Sequence, residues 1–161
     1  MRMNEGVEWA LHSCLNLTWA EPGEAVTAAR LAAFYGLPTA YMNKQLQALT
    51  RAGILSSISG PRGGFRLARR PEDITLLDVV TAIEGAEEAF RCEGILKEGP
   101  NGSADVDYRT TCLISQAMRK GDLAWRREIA AQTIADLKAA VERAYPHTPS
   151  STRDRFANLR P

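Results

Sequence analysis

No apolar run in this chain approaches the roughly 20 residues needed to span a bilayer. Its first residues carry no secretory leader pattern, so no membrane contact is expected and the expected compartment is the cytoplasm. Three cysteines in 161 residues are too few for the disulfide framework of a small secreted domain. They leave metal binding, redox sensing or simple burial. Internal repeats are absent, and no low-complexity run is long enough for a mostly disordered chain. The sequence also lacks a phosphate-binding loop, a nucleophile elbow and a recognisable acid–base pair, so an enzyme is not expected. A strong excess of one charge is missing too, since the formal net charge is +1.

What is present is a globular composition, 45% apolar and 24% charged, sized for one domain with at most an appended element. Residues from about Asn4 to Ala20 repeat Val7, Leu11, Leu15 and Thr18 at a near-helical period, flanked by Trp9 and Trp19, and Glu21-Pro22-Gly23 stops them. A second helix is predicted from about Thr27 to Tyr35, with Ala28, Leu31 and Ala32 inward and Gly36 as its C-terminal cap. A third starts at Thr39, a candidate N-cap. It buries Met42, Leu46 and Leu49 and leaves Tyr41, Lys44, Gln45 and Gln47 for other faces. Ile54–Ser59 and Phe65–Arg69 then alternate as two short strands around Gly60-Pro61-Arg62-Gly63-Gly64. Thr75 caps a helix that turns Leu76, Val79, Val80 and Ile83 inward and ends at Gly85.

The weak overall charge hides a segregation. Arg51, Arg62, Arg66, Arg69 and Arg70 crowd the end of the third helix and the hairpin, whereas Glu72, Asp73, Asp78, Glu84, Glu87, Glu88, Glu93 and Glu98 follow. Counterion release on a polyanion depends on the local basic face, not on the chain total. A polar helix followed at once by a basic hairpin is the way a winged helix-turn-helix meets double-stranded DNA. The candidate DNA-contacting residues are Thr39, Tyr41, Lys44, Arg62 and Arg66. A winged helix that serves only as a protein-interaction module is the alternative, and it has little use for a basic wing.

Past Gly85 the pattern changes. Phe90 to Thr111 has no sustained period, and Cys92 and Cys112 bracket it. Helical periodicity returns at Leu113, with a kink or a restart expected at Gly121-Asp122. Ile134, Leu137, Val141 and Ala144 continue a one-sided stripe that suits a partner subunit. The resulting division is a DNA-binding domain over 1–85, a loop over 86–112, a long dimerisation helix over 113–145 and a polar tail over 146–161. The expected fold is mainly α: a winged helix-turn-helix with a two-stranded wing and a long C-terminal dimerisation helix.

The block from Leu37 to Gly85 resembles the IscR-type family of winged-helix regulators, many of which hold an iron–sulfur cluster. Tyr41, Lys44, Leu46 and Leu49 carry the likeness in the helix, and Gly60, Gly63-Gly64, Arg69 and Pro71 in the wing. Ile74-Thr75-Leu76, Asp78-Val79-Val80, Ile83, Glu84-Gly85 and the later Thr133-Ile134-Ala135-Asp136-Leu137 continue it. Cluster-bearing relatives show three closely spaced loop cysteines, whereas only Cys92 and Cys112 lie there in this chain. The best-known branch also has a histidine three residues after its last cysteine, where this chain has Ser115. Two thiolates alone do not complete a [2Fe–2S] site.

Glu8 and His12 lie four residues apart and so project from one helix face. The segment Gly6-Val7-Glu8-Trp9-Ala10-Leu11-His12 is similar to the redox-responsive RsrR branch, in which two cysteines, a histidine and a glutamate share the cluster. That resemblance implies a homodimeric transcriptional regulator whose [2Fe–2S] cluster is held by Cys92 and Cys112 of one chain and Glu8 and His12 of the other. Replacing thiolates by imidazole removes negative charge at the irons and raises the reduction potential. Read without the family, Glu8 and His12 are an ordinary surface pair. Cys92 and Cys112 could then form a reversible disulfide or share zinc with His12. Cys14 reads as a small buried residue.

Overall fold

Side chains that accept hydrogen bonds from the first free amides of a helix mark where most of the helices start. The computed structural model describes residues 3–159. Asn4 caps α1 (Glu5–Leu17) by accepting from the Gly6 amide, and Thr27 caps α2 (Ala28–Tyr35) by accepting from the Arg30 amide. Gly36 closes α2 at φ 68°, a left-handed conformation that costs glycine no Cβ clash. α3 (Thr39–Arg51) begins differently from expectation. Its N-cap is Pro38, with no side-chain bond, and Thr39 is the first helical residue.

The hairpin pairs β1 (Leu55–Ile58) with β2 (Gly64–Leu67) antiparallel, Leu55 opposite Leu67 and Ser57 opposite Phe65. Val26 joins them by a bridge to Phe65, exchanging hydrogen bonds of 2.9 and 2.8 Å. This close approach requires glycine at position 64. Its φ is 144°, and a Cβ there would stand 2.6 Å from the Val26 carbonyl carbon. After a 3-10 turn at Pro71–Asp73, α4 (Leu76–Glu84) opens with a full capping box between Thr75 and Asp78. The architecture is thus mainly helical with one two-stranded antiparallel sheet, as expected.

Residues 86–112 hold only a 3-10 turn at Ile95–Glu98 and the single turn of α5 (Tyr108–Thr111). The one long helix expected over 113–145 is two: α6 (Leu113–Ala130) and α7 (Ile134–Ala144). The Gly121-Asp122 step lies inside unbroken α6, and the break falls at Ala131-Gln132-Thr133. There Thr133 and Asp136 form a second capping box. The Gln132 carbonyl accepts from the Leu76 amide at 2.9 Å, and the Ile134 amide donates to the Ile74 carbonyl at 2.9 Å.

This seam takes the first residue of the expected outward stripe into the core and leaves Leu137 and Val141 half-buried and Ala144 exposed. Ile134 is fully buried, and Leu137 and Val141 lie against α1 beside Leu11 and Leu15. Exposed apolar residues stand instead on α6, where Ile114 is 67% and Met118 48% exposed.

The polar tail expected over 146–161 contains a helix, α8 (Thr148–Asn158). Thr152 and Phe156, one turn apart, are buried, and Arg30 reaches across to donate to the Phe156 carbonyl at 2.6 Å. Phe156 joins the core formed by Ala10 and Cys14 of α1, Leu31 of α2, Met42, Leu46 and Leu49 of α3, Ile54 and Phe65 of the hairpin, and Val79 of α4. No helix among the described residues is long and apolar enough to cross a membrane.

Phe156→Ala should lower stability by about 3–5 kcal/mol, the usual loss for a buried aromatic. Ile95→Ala, at a side chain 81% exposed, should change it by less than about 0.5 kcal/mol. Urea denaturation of the two variants checks the contrast.

Candidate functional site

The apolar side of α3 sets what its other side can present. Met42, Leu46 and Leu49 are fully buried, and so is nearly all of Gln45. Gln45 was expected on an outer face, but it fills the crossing with α1, where a Cβ on Gly6 would stand 2.7 Å from its Oε1. Thr39, Asn43, Lys44, Gln47 and Arg51 are exposed, while Tyr41 is half-buried. Asn43, also exposed, was not among the residues singled out from the sequence. It lies four residues from both Thr39 and Gln47, so helical spacing alone places it in their row.

The hairpin adds cations unequally. Arg62 is exposed at the glycine-rich turn, and Arg66 projects from β2 with its Nε 3.4 Å from the Ser56 hydroxyl across the sheet. Arg69 and Arg70 are drawn away by carboxylates. Arg69 lies 3.6 Å from Asp78, and Arg70 lies 2.8 Å from Asp73 and 3.6 Å from Glu72. The hydrogen bond from Arg70 holds the Asp73 carboxyl below the ordinary carboxylate range. Lys44, Arg51 and Arg62 have no ion pair among the described residues, which leaves them free to neutralise phosphate.

Cys92 and Cys112 meet at one backbone oxygen. The Cys92 thiol lies 3.8 Å from the Tyr108 carbonyl, which also accepts from the Cys112 amide at 3.0 Å. Both cysteines are half-buried and free. Cys112 sits at the junction where α5 ends and α6 begins. Ser115, one turn into α6, is buried and donates to the Arg109 carbonyl at 3.1 Å. That position supplies no further donor toward the two thiols.

Glu8 and His12 are both exposed on α1, one turn apart. They line an apolar groove of about 550 Å³ with Val7, Leu11, Leu15, Leu137 and Val141. Among the described residues neither side chain has a hydrogen bond or ion pair, and the imidazole lies beside the Tyr35 ring at a centroid distance of 5.9 Å. The chain does not bring this pair to the cysteines. Among the described residues, no group of three or more His, Cys, Asp or Glu side chains is placed to hold a metal.

A helix-turn-helix with free cations on its outer helix, followed by a glycine-turned basic hairpin, defines a winged-helix DNA-binding protein. Residues 3–140 match the Rrf2 family, described as iron-dependent transcriptional regulators. The chain belongs to this family and is a DNA-binding transcriptional regulator, not an enzyme. The HTH-type transcriptional regulator IscR of Aliivibrio salmonicida is 28% identical over 102 residues, 63% of this chain and 60% of the relative. Two solved structures share the fold. The T. potens IscR structure superposes with a TM-score of 0.66 at 19% identity, covering 90% of this chain and 91% of that one. CymR, the global cysteine regulator of B. subtilis, gives 0.63 at 18% identity, covering 87% and 98%.

The third cysteine is chemically apart. Cys14 is fully buried, and burial pushes its thiol up from 9.0 to about 12, against a weaker opposing pull from Arg69. The unfolded thiol ionises near 9.0 while the folded one keeps its proton. Cys14 therefore contributes stability that is complete below that pH and is lost as pH climbs toward about 12. Cys14→Ala should make the alkaline fall in stability shallower in urea melts taken across that range. A thiol reagent should label Cys92 and Cys112 in the native protein and Cys14 only after unfolding.

Proposed function

We propose that this Rrf2 regulator is a cytoplasmic homodimer that senses redox state through a [2Fe–2S] cluster shared between its subunits. The observation that carries the reading is the separation of two incomplete donor pairs. The Cys92 thiol and the Cys112 backbone amide share the Tyr108 carbonyl, which brings the two cysteine-bearing segments together in the loop. On α1, Glu8 with His12 stand without an ion pair among the described residues. Each pair supplies half of the four ligands such a cluster needs, so the residues fit the group when two chains contribute. Cys92 and Cys112 of one protomer would hold one iron, and Glu8 and His12 of the partner subunit the other. When bound, the cluster supplies a one-electron change, at a potential raised by the neutral imidazole.

The protein's own residues do the remainder. The exposed face of α6, with Ile114 and Met118, supplies apolar surface for a second copy. Thr39, Tyr41, Lys44, Arg62 and Arg66 form the DNA-facing set. Lys44 and Arg62 anchor phosphate or base edges, and Thr39 and Tyr41 flank the entering end of α3. Two such sets on a symmetric dimer read paired half-sites, so the spacing of the subunits sets affinity. A second reading has its own support. Two free, half-buried cysteines whose segments share the Tyr108 carbonyl, Cys92 through its thiol and Cys112 through its backbone amide, suit a reversible disulfide or zinc in a cluster-free repressor.

DNA binding is tested on duplexes selected by the parent protein from a random library. Lys44→Ala and Arg62→Ala should each weaken binding by on the order of 1–3 kcal/mol where a base contact is lost. Unchanged affinity of both at matched salt would show that DNA docks elsewhere.

The ligand set is tested by visible absorption of anaerobically purified protein. His12→Ala should lose or weaken the cluster bands although His12 is remote in sequence from the loop cysteines, and Cys14→Ala should retain them. Mixing His12→Ala chains with Cys92→Ala chains should restore one intact site per heterodimer. Colourless parent protein with a Cys92–Cys112 disulfide on oxidation would establish the second reading instead.

A further inference from the structure

Tyr35, in the last turn of α2, stands between the ligand face of α1 and the rest of the helix-turn-helix. On the α1 side its ring meets Trp9 at 5.3 Å and His12 at 5.9 Å between centroids, both tilted contacts of the kind aromatic pairs favour. Its hydroxyl accepts from the side-chain amide of Asn16, which is buried. Trp9, His12 and Asn16 follow one another at about one-turn intervals on the helix that carries Glu8. Tyr35 therefore lies along the stretch of α1 that bears the candidate ligands.

The opposite side of α2 is held. Phe34, 5.0 Å from the Tyr35 ring, is closed in by Phe156 of α8 at 5.3 Å. The Arg155 guanidinium lies 5.0 Å from the Phe34 ring and donates to the Phe34 carbonyl at 3.0 Å. One turn earlier, Arg30 ties α2 to the Phe156 carbonyl at 2.6 Å and to Glu24 at 2.9 Å. α2 is thus backed by α8 and touched from the front by Trp9 and His12. Tyr35 is half-buried between these neighbours, so a reorientation of either α1 ring changes the contacts that hold it. Tyr35 belongs to α2, the helix on which α3 rests.

We propose that Tyr35 is a positioning residue that passes the state of the α1 ligand face to the helix-turn-helix. The proposal rests on the reading of Glu8 and His12 given above. The test compares DNA affinity of air-oxidised, dithionite-reduced and iron-stripped protein on a duplex selected by the parent. In the parent, the oxidised and reduced forms should differ by about 5–150-fold, the usual range for coupled sites. Tyr35→Leu should keep the visible bands and the affinity of the stripped protein while bringing that ratio close to one. Tyr35→Phe, which keeps the ring and loses only the bond from Asn16, should restore most of the ratio.

A merely structural role would weaken all three forms alike. Tyr35→Leu with the parental ratio, or with equal losses in every form, overturns the proposal. A parent that binds DNA equally when oxidised and reduced removes the redox reading itself, and this proposal with it. A switching parent with a switching Leu variant removes only the role of Tyr35. If Tyr35→Leu does not fold, Trp9→Leu cuts the same contact from the half-buried α1 side, and the same ratios decide.

Discussion

Two backbone hydrogen bonds, from Leu76 to Gln132 and from Ile134 to Ile74, determine where the last third of this chain goes. They pair the entry of α4 with the entry of α7, and each helix carries its own capping box beside the seam. Ile134 is drawn into the core at that point, α7 is laid along α1, and α8 is delivered to the back of α2. Without the seam, α6 and α7 would run on as one rod, and the groove beside Glu8 and His12 would lose its second wall. The Trp19 indole adds a lock farther along by donating to Glu142 of α7 at 2.8 Å, which holds that carboxyl below its usual range.

The winged helix was legible because its signals are local. Thr27, Gly36, Thr75 and Gly85 are cap residues whose chemistry works over a few neighbours, and Gly63-Gly64 mark a turn that few other residues fit. The break between α6 and α7 and the docking of α8 were misread because their decisive partners are remote. The Ile134, Leu137, Val141 stripe has the same period whether it meets a second copy or α1 of its own chain. Periodicity gives a face and never names what covers it. α8 is rich in polar residues, and only its single Phe156, packed against Phe34 and Arg30, reveals that it is held.

The candidate ligands show the same divide. The one-turn spacing of Glu8 and His12 could be read directly, and so could the bracketing of the loop by two cysteines. That the Cys92 thiol returns to the Tyr108 carbonyl, which the Cys112 amide also engages, could not, because it depends on the fold of an aperiodic segment. In the wing, composition suggested five cooperating arginines. The structure divides them, since carboxylates of the adjoining turn and α4 engage Arg69 and Arg70 and leave Arg62 free. Net charge near the wing overstates what a phosphate would feel there.

The bridge between Val26 and Phe65 has a mechanical consequence. Val26 immediately precedes Thr27, the cap of α2, so the base of the wing and the start of the helix-turn-helix are joined through one residue of backbone. With Gly64 pressed against that carbonyl, the hairpin has no hinge of its own relative to α2. The wing, α2 and α3 then possess six rigid-body degrees of freedom together, not separately. Any signal reaching this half of the molecule can translate or rotate it as a unit, but cannot retract the wing while leaving the recognition helix in the groove.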